Sequence, residues 1–207
     1  ISPFYDSMVA KLIVHGRTRA EALAKMDAAL AQTRIVGLST NVQFLRHVVN
    51  SPSFAQANLD TALIPREEAV LFQQERVGLP LAAAAAVAQT LLRERASEGV
   101  DPFSRRDGWR SHGLVERRFE FDFGGAHAKA SLAYLHDGGL RLTVGEGGAA
   151  VAGLLDFRAR PGVPAQTAVA APSDWSAWTL DVAFAGDRTR ATVYLQGERA
   201  HVFTPRG

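Results

Sequence analysis

One stretch constrains this chain more than any other: Leu79 to Leu92, which reads LPLAAAAAVAQTLL. Alanine has the highest helix propensity of any residue, and Pro80 suits a first helical turn, so the stretch predicts a helix. That helix is apolar nearly all round, and a helix without a polar face has to be surrounded. At 14 residues it is shorter than the roughly 20 that span a bilayer, and Arg93-Glu94-Arg95 closes it, so the expectation is burial inside protein and no membrane. The small side chains further predict that whatever surrounds the helix approaches closely.

What surrounds it follows from the residues downstream. Phe119, Phe121 and Phe123 alternate with Glu120 and Asp122, and Gly124-Gly125 then turns the chain, which is a strand followed by a hairpin. Further strand candidates are 128–135, 140–144, 151–157, 166–169, 178–184, 190–195 and 200–203, separated by Asp137-Gly138-Gly139, Gly145 to Gly148, Gly186-Asp187 and Gly197-Glu198. Gly145 to Gly148 is followed by no helix and closed by no Lys-Ser or Lys-Thr, so it is a turn and not a phosphate loop. Eight antiparallel strands in a meander make a barrel whose interior must be filled, and the alanine helix is the filling. A barrel filled by its own helix leaves no room for cargo, which argues against an independent small-ligand-binding β-barrel.

The first third has a different character. Met8 to Val14 (MVAKLIV) reads as a buried strand ending at Gly16, with Lys11 its one charge. Thr18 and Glu21 form a capping box ahead of a helix with Ala22, Leu23, Met26, Ala29 and Leu30 at helical spacing. A second helix, capped by Thr40 or Ser39, carries Val42, Phe44, Leu45, Val48 and Val49 and stops near Ser51-Pro52. Around Pro65-Arg66-Glu67-Glu68 the periodicity lapses. The expected organisation is therefore a unit over 1–66, a linker over 67–78 and a second unit over 79–207, with its helix at 79–96, a connection at 98–113 and the barrel at 114–204. The opening Ile1-Ser2-Pro3-Phe4-Tyr5-Asp6 runs directly into apolar sequence, as expected of a piece of a longer chain.

Charge and composition exclude several functions. Lys and Arg total 23 against 21 Asp and Glu, a formal charge of +2, too small to favour nucleic acid. With no Cys there are no disulfides, thiolate nucleophiles or Cys-ligated zinc sites, which fits a reducing compartment. His15, His47, His112, His127, His136 and His201 show no paired spacing that builds a metal site.

The segments ISPFYDSMVAKLIVHG, TRAEALAKMDAALAQTRIVGLSTNVQFL and LDTALIP occur in an order and spacing that resemble the C-terminal end of a biotin carboxylase domain. The remaining two thirds resemble the BT domain of acyl-CoA carboxylase α subunits, which links biotin carboxylase to carboxyltransferase and wraps an eight-stranded antiparallel barrel around a central helix. DPFSRRDGWR and VYLQGERAHVFTPRG are most similar to the 3-methylcrotonyl-CoA branch of that family, which serves leucine degradation; the propionyl-CoA and geranyl-CoA branches stay open. The fold class so implied is α+β, a truncated α/β end followed by that barrel.

The resemblance implies a ligase that forms C–C bonds and uses biotin, ATP and Mg, in the bacterial cytoplasm or, in a eukaryote, the mitochondrial matrix. It also implies that none of the family's catalytic, cofactor-binding or metal residues lies within these 207 residues. The biotin-accepting lysine of the family sits in Ala-Met-Lys-Met, and neither Met8 nor Met26 has that context. The expected role is subunit assembly without catalysis, with the carboxyltransferase β subunit and the remainder of the biotin carboxylase domain as partners.

Two groups of residues are candidates for contact. Between helix and first strand, Pro102, Phe103, Arg105, Arg106, Trp109 and Arg110 combine the aromatic and arginine side chains enriched at protein interfaces. In the family this connection is the hook, which touches the β subunit; the competing reading is that Phe103 and Trp109 plug the barrel end. Tyr5, Asp6 and Lys11 are candidates for orienting the missing active site or for a dimer contact, against the alternative of a strand-entry turn with a solvated lysine.

Overall fold

A computed structural model of the chain describes residues 10–73, 77–160 and 175–205. The chain divides into two compact units, Ile1–Glu75 and Arg76–Gly207.

In the first unit the capping chemistry at Thr18 starts α1 (Arg19–Gln32): its hydroxyl accepts the backbone N–H of Glu21 at 3.2 Å. The Glu21 carboxylate reaches back to the N–H of Arg17 at 2.9 Å, one residue beyond the Thr18 N–H that a capping box would use. Helix α2 (Val42–Asn50) begins after Asn41, whose side chain makes no capping bond, so neither Thr40 nor Ser39 is the cap. Ser51 ends α2 and caps α3 (Pro52–Ala55), and the short turns α4 (Leu63–Arg66) and α5 (Glu68–Leu71) follow. Asp27 ties α1 to α2 by accepting from Arg46 Nε at 3.0 Å and Asn50 Nδ2 at 2.9 Å. Leu30, Val49, Leu63 and Leu71 form a small buried set, and Phe72 packs on Phe44 with ring centroids 5.1 Å apart.

The strand expected over Met8 to Val14 is corrected for its described part. Residues 10–16 are neither helix nor strand, and Ile13 is 84% exposed. A strand needs a ladder partner for its backbone groups, and the described residues of this unit contain no other strand. Met8 and Val9 lie outside the described residues.

In the second unit the alanine run forms α6 (Leu79–Ala96), with Gly78 at its N-cap and Pro80 in its first turn. The helix ends at Ala96, as expected, so Arg93 and Arg95 lie in its last turn, where unpaired carbonyls favour cations. Ala84, Ala85 and Ala88 are wholly buried. Around α6 runs an antiparallel meander in strict sequence order: β1 (Val115–Phe123), β2 (Ala126–Tyr134), β3 (Leu140–Val144), β4 (Val151–Ala159), β5 (Trp175–Phe184), β6 (Asp187–Gln196) and β7 (Arg199–Phe203). The two-residue turn Gly124-Gly125 has φ of +63° and +85°, the conformation a tight hairpin requires and glycine adopts freely. Period-two alternation turns Leu132, Leu142, Leu180, Val182 and Val193 inward, each inaccessible to solvent and in one cluster with the helix alanines.

The closed eight-stranded barrel is corrected to a curled, open sheet of seven strands among the described residues. Strands β1 and β7 are its two ends, each paired on one side only. The eighth candidate, 166–169, lies outside the described residues, and β4 pairs directly with β5 across that stretch of sequence. Where closure would require a β1–β7 ladder there is instead a depression of about 890 Å³, lined by Ala82, Ala83 and Ala86 of the helix and by Phe121, Arg199 and His201 of the end strands.

Ala88 tests the enclosure of α6. Leu in its place adds a branched side chain where the structure leaves no space, and the expected loss is about 3 kcal/mol. A urea midpoint equal to that of the parent chain would show that the helix is not surrounded.

Candidate partner interface

The connection from α6 to β1 holds its shape with its own polar groups. Asp101 accepts the backbone N–H of Phe103 at 2.9 Å and so caps a 3₁₀ turn, Pro102–Ser104. Ser104 Oγ accepts the N–H of Gly99 at 2.9 Å and donates to backbone carbonyls in return. Glu98 accepts the N–H of Arg106 at 2.9 Å, and Asp107 accepts that of Trp109 at 3.0 Å. Side chains thus take the place of a ladder, as Asp and Ser do in turns.

This loop presents its large apolar side chains to solvent. Phe103 is 95% exposed and Trp109 80%, so neither plugs the end of the sheet. Five of the six expected contact residues, Pro102, Phe103, Arg105, Arg106 and Trp109, line one depression of about 630 Å³; Arg110 is exposed and is not part of its lining.

Two lining residues that sequence reasoning missed, Arg117 and Tyr134, are tied through Arg117 to Glu94, which is not itself part of the lining. Glu94, near the end of α6, accepts two hydrogen bonds from the Arg117 guanidinium of β1, at 2.6 and 2.8 Å. Arg117 also donates to the Tyr134 hydroxyl of β2 at 3.3 Å, and Arg106 approaches Glu94 at 3.6 Å. The hydrogen bonds from Arg117 hold the Glu94 carboxyl below its usual range despite partial burial, and the same bonds hold Arg117 protonated. Gly108 lies on the ring of Tyr134, has φ of +71°, and leaves no room for a β-carbon. A signal for Arg117 was present: it alternates in phase with Val115, Phe119 and Phe121, on the inward face of β1.

Tyr5 and Asp6 lie outside the described residues, and Lys11 is exposed in irregular chain. No group of three or more His, Asp or Glu among the described residues is arranged to hold a metal ion. No helix of the described residues is long and apolar enough to cross a membrane.

The Glu94–Arg117 pair sets an acid sensitivity. A carboxyl whose folded pKa lies below its unfolded value contributes stability above the unfolded value, and that contribution disappears as pH falls through the folded one. Glu94→Gln should cost about 2 kcal/mol at pH 7, since one charged partner is lost and Arg117 is left half-satisfied. The gap between variant and parent should close as pH drops from Glu94's ordinary value near 4.5 toward its lowered folded value. Urea unfolding at a series of pH values reads this out, and a gap that stays constant down to acid pH would show that the carboxylate charge contributes nothing.

Known proteins resemble both units. Residues 1–66 match the family model for the biotin carboxylase C-terminal domain, and residues 78–207 match that for the methylcrotonyl-CoA carboxylase α-subunit BT domain. Human mitochondrial pyruvate carboxylase is 44% identical over 73 residues, 35% of this chain and 6% of that protein. The mitochondrial methylcrotonoyl-CoA carboxylase subunit α of Dictyostelium discoideum is 30% identical over 127 residues, covering 59% of this chain and 18% of its own length. The biotin carboxylase of Halalkalibacterium halodurans is 45% identical over 64 residues, 31% of this chain and 14% of that protein. This chain therefore spans less than a fifth of each of these relatives. The match over 78–207 takes in more than half of the chain, and with the helix-filled sheet it accompanies, the chain belongs to the family of methylcrotonyl-CoA carboxylase α-subunit BT domains.

Proposed function

We propose that this chain is part of the α subunit of a biotin-dependent acyl-CoA carboxylase and that its second unit assembles that subunit with a carboxyltransferase β subunit. The observation that carries the reading is the pair Phe103 and Trp109, exposed on a loop whose backbone is capped by its own side chains. A loop already ordered loses little further entropy on binding, which is how an exposed aromatic becomes an anchor. Pro102, Arg105, Arg106 and Arg110 complete the contact surface.

The domain boundaries follow the same reading: 1–66 as the C-terminal part of a biotin carboxylase domain, 67–78 as linker and 79–207 as BT domain. The exposed apolar side chains of the first unit, among them Ile13, Leu38 and Phe72, are the surface that the remainder of the biotin carboxylase domain covers. Tyr5, Asp6 and Lys11 are proposed either to orient the active site of that domain or to make a dimer contact. The enzyme is assigned to 3-methylcrotonyl-CoA and leucine degradation, on the family of residues 78–207 and the Dictyostelium relative. Pyruvate carboxylase also matches, over 73 residues, so the first unit by itself favours no acyl-CoA.

The parent enzyme uses biotin, ATP and Mg on this reading. The sequence has no Ala-Met-Lys-Met, and the described residues offer no acidic cluster for a metal. The contribution we assign to this chain is assembly, in the bacterial cytoplasm or the mitochondrial matrix.

Titration of the chain with the 3-methylcrotonyl-type β subunit tests the proposal. Phe103→Ala and Trp109→Ala should each weaken binding roughly thirtyfold, the size of an interface hot spot, with thermal unfolding unchanged because both side chains are exposed. Binding that is unaffected by both substitutions would remove the hook from the interface. Tight binding to a propionyl-type β subunit and none to the 3-methylcrotonyl-type would reassign the substrate.

A further inference from the structure

Beyond the apolar anchors, the depression beneath the hook has a charge of its own. Its lining contains three arginines, Arg105, Arg106 and Arg117, against one acidic residue, Asp107. The carboxylates near it are already engaged with the chain. Asp107 and Glu98 accept backbone N–H groups of the hook, and Glu94 is held by Arg117. Arg117 is engaged with Glu94 and Tyr134, but the guanidinium groups of Arg105 and Arg106 are less so. Arg105 is exposed and makes no ion pair among the described residues, and Arg106 has a single contact with a carboxylate, at 3.6 Å with its side chain 60% exposed.

We infer that this depression receives an acidic segment of the partner subunit, with a carboxylate seated between Arg105 and Arg106 and a bulky apolar side chain against Phe103 or Trp109. The inference rests on the assembly reading above and adds the chemistry of the partner to it. Arginine presents a planar fork of donors that a carboxylate matches with two parallel hydrogen bonds, and the aromatic walls exclude water from that pairing. A basic depression also repels a basic partner, so it selects among β subunits as well as attracting one. The floor is fixed independently of the partner, because Glu94, Arg117 and Tyr134 hold one another and Gly108 rests on Tyr134. The hook thus meets its partner with its backbone and Arg117 already placed.

The test is a titration of the whole 207-residue chain with the β subunit at salt concentrations from 50 to 500 mM, using the parent chain, Arg105→Glu, Arg105→Lys and Phe103→Ala. On the inference, affinity falls with salt, Arg105→Glu weakens binding roughly tenfold or more at low salt and flattens the salt dependence, and Arg105→Lys retains most of both. Phe103→Ala weakens binding at every salt concentration and leaves the slope unchanged. If Arg105→Glu binds as tightly as the parent with the same slope while Phe103→Ala is weak, the hook is an apolar contact alone: the acidic-partner inference fails and the assembly reading stands. If the parent chain binds no β subunit, both fall.

Discussion

Everything in the second unit depends on the absence of side-chain bulk along α6. A helix flanked by Ala84, Ala85 and Ala88 lets strand side chains reach its backbone closely, so the seven strands of the described residues can bury almost its whole circumference. Leucines in those positions would hold the sheet farther out and call for more strands. The buried layer is then filled by the strands, through Leu132, Leu142, Leu180, Val182 and Val193, and the helix supplies the surface they pack on. A polar group of the helix interrupts it. Gln89, buried in the helix, donates to Ser176 Oγ of β5 at 3.3 Å, which gives the helix a preferred rotation that a uniform alanine surface does not.

The same helix positions the hook. Its last turn emerges from the sheet carrying Glu94, the first charged group able to reach both β1 and the loop that follows. A partly buried ion pair contributes little to stability unless its geometry is good, and here two parallel hydrogen bonds at 2.6 and 2.8 Å satisfy it. What the pair contributes is position: it joins the end of α6 to β1 and, through the Tyr134 hydroxyl, to the end of β2. Gly108 then uses the Tyr134 ring as a seat. The hook stands on three elements of the sheet-and-helix unit even though it contains only one short 3₁₀ turn of its own.

How much of this was legible in the sequence follows from the range of each interaction. The alanine helix and β3 were readable because they rest on local composition and alternation; β3 was expected at 140–144 and is found there. The turns were readable for the same reason, since Gly124-Gly125 states its conformation directly. Strand closure was not, because whether β1 meets β7 depends on accumulated twist and register over the whole meander, to which no single residue testifies. Met8 to Val14 shows the opposite failure. Its apolar pattern is correct for a strand, but a pattern cannot provide the neighbouring strand on which the ladder depends. The aromatic and arginine residues of the hook were found by composition, whereas Glu94, Arg117 and Tyr134 lie far apart in sequence and announce themselves only through Arg117, a charge on the apolar face of β1.

That misplaced charge is the most informative departure from pattern in the unit. An arginine among Val115, Phe119 and Phe121 would be a fault in a sheet built only to cover a helix, since a valine there would pack as well without needing a partner. Its retention makes sense if the unit must do more than enclose α6. It must also hold a loop at one end of the sheet in a fixed orientation, with Phe103 and Trp109 left uncovered. Exposing two aromatic rings is unfavourable for an isolated domain and favours aggregation, so the ordering of the hook and the exposure of its rings are hard to explain separately. Together they support the proposed contact with another chain, in which the Glu94–Arg117 pair would set the geometry and the rings would supply the apolar contact.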